Sequence, residues 1–527
     1  MIGAPCSLVL QPLKITKTAA QTTTVKKGNI KMSQIQLQTG QHLGQLPGFI
    51  TIAALGATML GISLYSRAKL VKNTHDFIIA GRKLGFGFGV AGLVSVWTWV
   101  VGILMPAAVT YSFGLSGLWW FTVPNGLAVV AVVPFARKLK RLMPHGYTIS
   151  EFASVRFGGN KLATIVAISG IIFGTFQAVI VNLKGAAIVV SHIFGIPESV
   201  VAVVTAAIVL IYTLLGGLWA SMATSALMTL LLLVATAIIA LVGVAHAGGA
   251  AFIWHEVASQ GHGLLGVTRP DAFQNFGVTF TLALITATIA GQEFWNVAWG
   301  LRDKELGRSF FWGGSLYYPI ALGLGVLGLI GIALHVDLQR DLGGDSAALA
   351  PFLLTHLGLP SWVIYLFVLM VLAACKSVVD GALTGVSTIT AVDIVKRFFP
   401  DVSERSLFFW TRASMVLVIA GSIAILLGGV NFVTLLLVTS AIRGAVLIPL
   451  ILAIIWPKLN ATAFVSGTLS ALVAGVIARV LYNSEVISTA TVVIVSTVVP
   501  LVIGGLNKVR YDYAELAKVQ DLHTSHN

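Results

Sequence analysis

The sequence predicts an all-α polytopic membrane protein of about thirteen transmembrane helices. Three observations carry that prediction. The composition is too apolar for water, apolar runs of bilayer length recur along the chain, and basic residues collect in alternate connections between those runs.

Composition comes first. Of 527 residues, 57% are hydrophobic and only 10% are charged, with a mean hydropathy of +0.92. A soluble domain carries about 25% charged residues, and a chain of this length could not hide so much apolar surface from water. The two cysteines, Cys6 and Cys375, are far apart and give neither a disulfide framework nor a metal spacing. No cleavable signal peptide is evident.

A bilayer-spanning helix needs ~20 mostly apolar residues. Such runs lie at roughly 48–66, 84–111, 116–136, 161–193, 198–215, 218–246, 273–299, 309–334, 361–392, 408–428, 431–455, 461–482 and 486–505. They define a transmembrane domain over 48–505, between an N-terminal tail (1–47), expected to be disordered, and a C-terminal tail (506–527).

Lys and Arg stay on the cytoplasmic side of a membrane. Arg67, Lys69, Lys72, Arg82 and Lys83 follow the first run, and Arg137, Lys138, Lys140 and Arg141 follow the third. Later basic groups are Arg302, Lys304 and Arg308, then Lys396, Arg397 and Arg405, then Lys508, Arg510 and Lys518. The intervening connections are nearly free of positive charge. The expected topology is N-terminus outside, C-terminus cytoplasmic, in the plasma (cell inner) membrane. The net charge of +14 then reflects topology and not a nucleic-acid footprint. Lysines 14, 17, 26, 27 and 31 break the pattern, which is expected either from a start at Met32 with residues 1–31 as an extension or from a disordered, translocated tail.

Polar residues inside a span cost free energy and mark candidate sites. The second run carries Ser95-Val96-Trp97-Thr98-Trp99 at its middle. That segment is either a continuous helix with packed indoles or a local unwinding that frees carbonyls for a cation or polar solute. The seventh run ends in Gln292, Glu293, Phe294 and Asn296, as a second polar break or as the headgroup end of the helix. In the ninth run Lys376 and Asp380 are four apart and are expected to pair on one helix face. Arg443, in the eleventh, lies too deep to snorkel easily and must face water, a carboxylate or a substrate. Lys184 in the fourth is a weaker case of the same kind. No phosphate-binding loop, paired-His metal motif or nucleophile elbow is present, so an enzyme is not expected.

Runs two to six and seven to eleven form two blocks of five, 84–246 and 273–455, which an odd number of crossings inverts relative to one another. The runs at 48–66, 461–482 and 486–505 are accessory. Several segments then carry a resemblance: Phe77-Ile78-Ile79-Ala80-Gly81-Arg82, Val94 to Trp99, Tyr111-Ser112-Phe113-Gly114-Leu115-Ser116-Gly117, Tyr212 to Ala220, and Gly313-Gly314-Ser315-Leu316. They resemble the sodium:solute symporter family, over roughly 48–505, and within it the active urea transporters, toward which the Trp-Thr-Trp segment leans. The resemblance implies a leucine-transporter-type 5+5 inverted repeat. It implies a sodium site using the Ser95 and Thr98 carbonyls, the Ala374 carbonyl and the Ser377 hydroxyl, and a substrate near Trp97, Trp99, Gln292, Glu293, Phe294 and Arg443.

Two positions depart from the family. Val378 stands where a second hydroxyl is usual, and Ser225 follows Thr224 where an Asp is frequent. Fewer oxygens suit a hard cation poorly. Lys376 could supply positive charge instead, but at about 100° per residue it points well away from Ser377. Coupling is therefore expected to be weaker than in relatives, or to use protons through Asp380 or Glu293. The function expected is uptake of urea or a similar small polar solute by alternating access, with Na+ or H+ as coupling ion and no other cofactor. A symporter of a carboxylate or amino acid, and an uncoupled facilitator or sensor, are the alternatives.

Overall fold

The computed structural model describes residues 40, 43–428 and 432–519; the expectations about Met32 and the extension before it lie outside them. The chain runs as α1 (Gln45–Leu70), α2 (Thr74–Ile79), α3 (Phe86–Trp97), α4 (Val100–Phe113), α5 (Leu115–Ala131), α6 (Val133–Leu142), α7 (Ile149–Arg156), α8 (Lys161–Phe194), α9 (Glu198–His246) and α10 (Ala250–Ser259). It continues as α11 (Pro270–Ala272), α12 (Val278–Ile289), α13 (Gln292–Gly300), α14 (Leu306–Ser315), α15 (Tyr317–Ala333), α16 (Leu349–His356), α17 (Ser361–Ile389), α18 (Glu404–Leu427), α19 (Phe432–Ile455), α20 (Ala461–Tyr482) and α21 (Glu485–Gly505).

Among the described residues, nine helices are long and apolar enough to cross a membrane, and ten if the bent pair α3–α4 is one span. Three expected spans fall outside that count for local reasons. The fifth and sixth are merged in α9, whose 49 residues would extend about 74 Å, more than twice the hydrocarbon thickness. Gly217, at φ 53° and ψ −143°, leaves the helical path and divides it. A side chain there would collide with the Phe77 carbonyl and ring, so this reversal needs glycine. The seventh span is split into α12 and α13, and the eleventh is α19, whose side chains are described from Arg443 onward.

Burial orders the bundle. In its most apolar stretch, 78% of α17 is buried, against 28% in α18 and in α21. The central helix packs along α8 and α9, while α20 and α21 pair with each other at the periphery. Leu417 on α18 and Val480 and Leu481 on α20 are exposed apolar side chains that suit lipid.

The tail after α21 folds back as a strap. Tyr511 N–H donates to Pro457 O at 2.9 Å, and the Tyr513 hydroxyl donates to Ala453 O at 3.0 Å. Arg156, at the end of α7, donates from Nε to Ala453 O (3.1 Å) and from Nη2 to Trp456 O (3.1 Å). Its guanidinium lies 4.2 Å from the Tyr511 ring centre and 5.5 Å from that of Tyr513. Cation–π contact and backbone acceptors together satisfy a cation that burial would otherwise penalise.

Candidate functional site

The second span is broken at its polar segment, which decides for unwinding between the two readings the sequence left open. Between α3 and α4 the axis bends by 60°. Thr98 and Trp99 leave helical geometry, and Trp99 N–H donates to Trp97 O instead of to Ser95 O four residues back. Val100 N–H, whose helical acceptor would be Val96 O, is instead taken by Asn182 Oδ1 of α8 at 2.8 Å. Diverting these two donors releases the Ser95 and Val96 carbonyls from the helical ladder. The Ser95 and Thr98 hydroxyls turn inward to their own helix, to Gly92 O (3.3 Å) and Val94 O (2.7 Å).

The second polar break is present as well. Ala290 and Gly291 separate α12 from α13, so Gln292 and Glu293 stand in the first turn of a new helix, fully inside the protein. Their approach to α17 depends on glycine. A Cβ on Gly385 would meet Gln292 Cβ at 3.4 Å, and a Cβ on Gly381 would meet Val96 Cγ2 at 2.9 Å with Glu293 Cβ at 3.7 Å. These two glycines, one turn apart on one face of α17, let both broken spans press against it. Across the gap the Trp97 and Phe294 rings meet edge to face, 5.5 Å between centres.

Arg443 completes the cluster. Its guanidinium Nη2 lies 3.5 Å from Glu293 Oε1, with both side chains nearly fully buried. Its charge also stands 5.8 Å from the centre of the Trp99 ring. Gly174 on α8 makes the room, since a Cβ there would meet Arg443 Nε at 2.7 Å. Trp97, Trp99, Glu293, Phe294 and Arg443 thus form one contiguous group.

Gln292 reaches a different neighbourhood. Its Nε2 donates to Tyr147 O (3.0 Å) and Asn296 Oδ1 (2.7 Å), and its Oε1 accepts from Ile149 N–H (3.1 Å). Both donor hydrogens of the amide are spent on protein, which ties α13 to the entrance of α7.

On α17 the expected Lys376–Asp380 pair does not form. Asp380 Oδ1 accepts from Thr213 Oγ1 of α9 at 2.9 Å, and the Lys376 ammonium has no hydrogen-bond partner among the described residues. Spacing of four permits a pair, but here a neighbouring helix takes the carboxylate. Ala374 and Ser377 are buried on the same helix, and Ser377 Oγ is without a partner among the described residues. Val378 presents no oxygen. Thr224 Oγ1 closes on the carbonyls of Ala220 and Ser221, both at 3.0 Å.

Sequence reading missed the floor of this region. Asp393, in a π-helical segment after α17, accepts from Thr148 Oγ1 and Ser150 Oγ, each at 2.7 Å. Thr148 caps α7 and accepts from Glu151 N–H, while Glu151 Oε2 accepts from Tyr147 N–H at 2.8 Å. Desolvation, with the Asp393 charge second, pushes the Glu151 carboxyl up to about 8. The available signal was Thr148-Ile149-Ser150-Glu151, the spacing of a helix capping box.

The model of the sodium:solute symporter family matches residues 77–475. The chain belongs to that family. Among curated relatives, the urea-proton symporter DUR3 of Oryza sativa is 22% identical over 88% of this chain and 70% of its own length. The urea active transporter of Saccharomyces cerevisiae is 22% identical over 80% of this chain, which spans 62% of the yeast protein. A solved Na+-coupled sialic acid symporter aligns with a TM-score of 0.73, covering 88% of this chain and 98% of its own at 17% identity. The chain therefore shares the helical fold of that symporter, and this member of the sodium:solute symporter family is an integral membrane protein.

Proposed function

We propose that this protein is a cation-coupled secondary transporter taking up urea or a similarly small, neutral polar solute by alternating access. The observation that carries the reading is the buried Arg443–Glu293 pair beside the α3–α4 break. A carboxylate solute would want a guanidinium free to bind it bidentately. Here Glu293 already stands against that charge, and the aromatic faces of Trp97, Trp99 and Phe294 remain beside it for a neutral planar solute. The names of the rice and yeast relatives point the same way.

The architecture proposed with it is thirteen spans. Two inverted blocks of five (84–246 and 273–455) and three accessory helices lie in the plasma membrane with the C-terminus cytoplasmic. Alternating access would move one block against the other around the broken spans.

Residues for a cation fit in part. The released Ser95 carbonyl, with those of Thr98 and Ala374 and the unpartnered Ser377 hydroxyl, are the oxygens that would hold sodium. When bound, such an ion supplies positive charge between α3 and α17. The missing hydroxyl at Val378 and carboxylate at Ser225 make that set small, which supports protons moving through Asp380 or Glu293 as the second reading. Lys376, buried on the same helix as Asp380, would then set the local charge.

The test is accumulation of labelled urea by proteoliposomes under an imposed sodium or proton gradient, with counterflow as control. Accumulation that follows one gradient supports the reading. Equilibration without accumulation, or uptake confined to carboxylates, overturns it.

A further inference from the structure

A second site lies away from the central cluster, at the basic end of the bundle. Between the end of α1, the α9 reversal and the start of α18 there is a cleft of about 740 Å³. Arg67, Lys72, Arg405 and Arg412 line it over an apolar wall that includes Leu214 and Phe408.

None of these four cations has an acidic partner within ion-pair distance among the described residues. Nearby carboxylates are engaged elsewhere. Asp76 accepts from Lys72 N–H and Asn73 caps its own amide, while Glu404 accepts from Thr74 Oγ1 at 3.2 Å. Arg412 is anchored by its Nε on Leu214 O (3.1 Å) and by the Phe408 and Phe77 rings, which fixes its charge at the mouth of the cleft. Four like charges around one opening repel one another unless an anion sits between them. Phe409 and Val416, exposed on α18, line the same cleft on either side of Arg412. Cations set among exposed apolar side chains match a lipid, whose phosphate head takes the charges while its acyl chains cover the apolar surface.

We infer that this cleft binds the phosphate headgroup of an anionic phospholipid, with its chains running down the outer face of α18. Two arginines hold a phosphate as forks and the lysine adds a point charge. The headgroup would rest against Leu214 and Leu215, immediately before the Gly216–Gly217 reversal of α9. Which leaflet supplies the lipid rests on the orientation proposed above; the binding itself does not.

The test is native mass spectrometry of the full-length protein in detergent, titrated separately with dioleoylphosphatidylglycerol, dioleoylphosphatidylcholine and inorganic phosphate. Retention of phosphatidylglycerol and stripping of phosphatidylcholine is the expected result. Arg67→Gln with Arg405→Gln removes two exposed charges and should weaken phosphatidylglycerol binding by about tenfold or more. Arg412→Gln is the second variant and should weaken it further; where its lost anchor unfolds the protein, the exposed pair still answers. Equal retention of the two lipids, or unchanged binding in the exposed double variant, overturns the inference. So does displacement of the lipid by inorganic phosphate at matched concentration, which would make this a site for the free anion. No transport is needed for this readout, so its failure leaves the transporter reading standing, and the reverse holds.

Discussion

Arg443 and Glu293 face each other at 3.5 Å inside the protein, joining α19 to the first turn of α13, with Trp99 beneath the guanidinium. Removing Arg443 takes the counter-charge from the buried Glu293 carboxylate, which costs ~3–5 kcal/mol. Arg443→Gln and Glu293→Gln should each lower the melting temperature and reduce uptake of neutral solute by tenfold or more. The double variant should recover much of the stability while remaining poor in transport. Thermal unfolding followed by fluorescence, beside uptake, measures both.

Gly174 offers the same perturbation without altering a charge. Its added Cβ would meet Arg443 Nε at 2.7 Å. Gly174→Val should displace the guanidinium and cost ~1–3 kcal/mol through overpacking. Its transport defect should resemble that of Arg443→Gln; wild-type uptake in a well-folded Gly174→Val protein would contradict the placement of Arg443.

Asn182 holds the break open by accepting from Val100 N–H. Asn182→Ala strands that buried donor at a cost of ~1–3 kcal/mol. Asn182→Asp keeps an acceptor oxygen and should retain more stability. A thermal shift comparison of the two separates a lost acceptor from lost packing.

Ser377 predicts the opposite pattern. Its hydroxyl has no partner among the described residues, so Ser377→Ala should leave the melting temperature within about 1 kcal/mol of equivalent stability. If that oxygen serves a coupling cation, the concentration of cation giving half-maximal uptake should rise. Unchanged cation dependence would remove Ser377 from the coupling set.

Glu151 sets a pH response. Its ordinary value is 4.5 and its value here is about 8, raised by desolvation and then by Asp393. The native state therefore holds a proton that the unfolded chain releases. The stability this contributes is complete below pH 4.5 and is lost as pH climbs through about 8. Melting temperature should fall over that window, and Glu151→Gln should flatten the fall.

The parts legible in sequence are those written by local chemistry. Trp97-Thr98-Trp99 inside an apolar run left a break as one of two readings, and the boundary between the runs 198–215 and 218–246 fell where Gly217 divides α9. Deep placement identified Arg443 as a residue in need of a partner. What stayed hidden depended on neighbours distant in the chain. Asp380 could not be assigned to Thr213, 167 residues away, and so was paired with Lys376 by spacing alone. Gln292 was placed near the substrate by resemblance alone, and its partners Tyr147 and Ile149 lie in a connection that hydropathy passes over. Asp393 was hidden for the same reason, at the end of a run that read as apolar.

The strap at the C-terminus bears on how the protein should be handled. Tyr511 and Tyr513 enclose Arg156 and bond to the backbone at the end of α19, so this stretch is a fastener between α7 and α19. A fluorescent reporter fused beyond Val519 leaves that fastener closed. Truncation at Leu506 would open it and strip the Arg156 guanidinium of its aromatic cover, yielding a protein whose activity speaks for the damage and not for the native carrier.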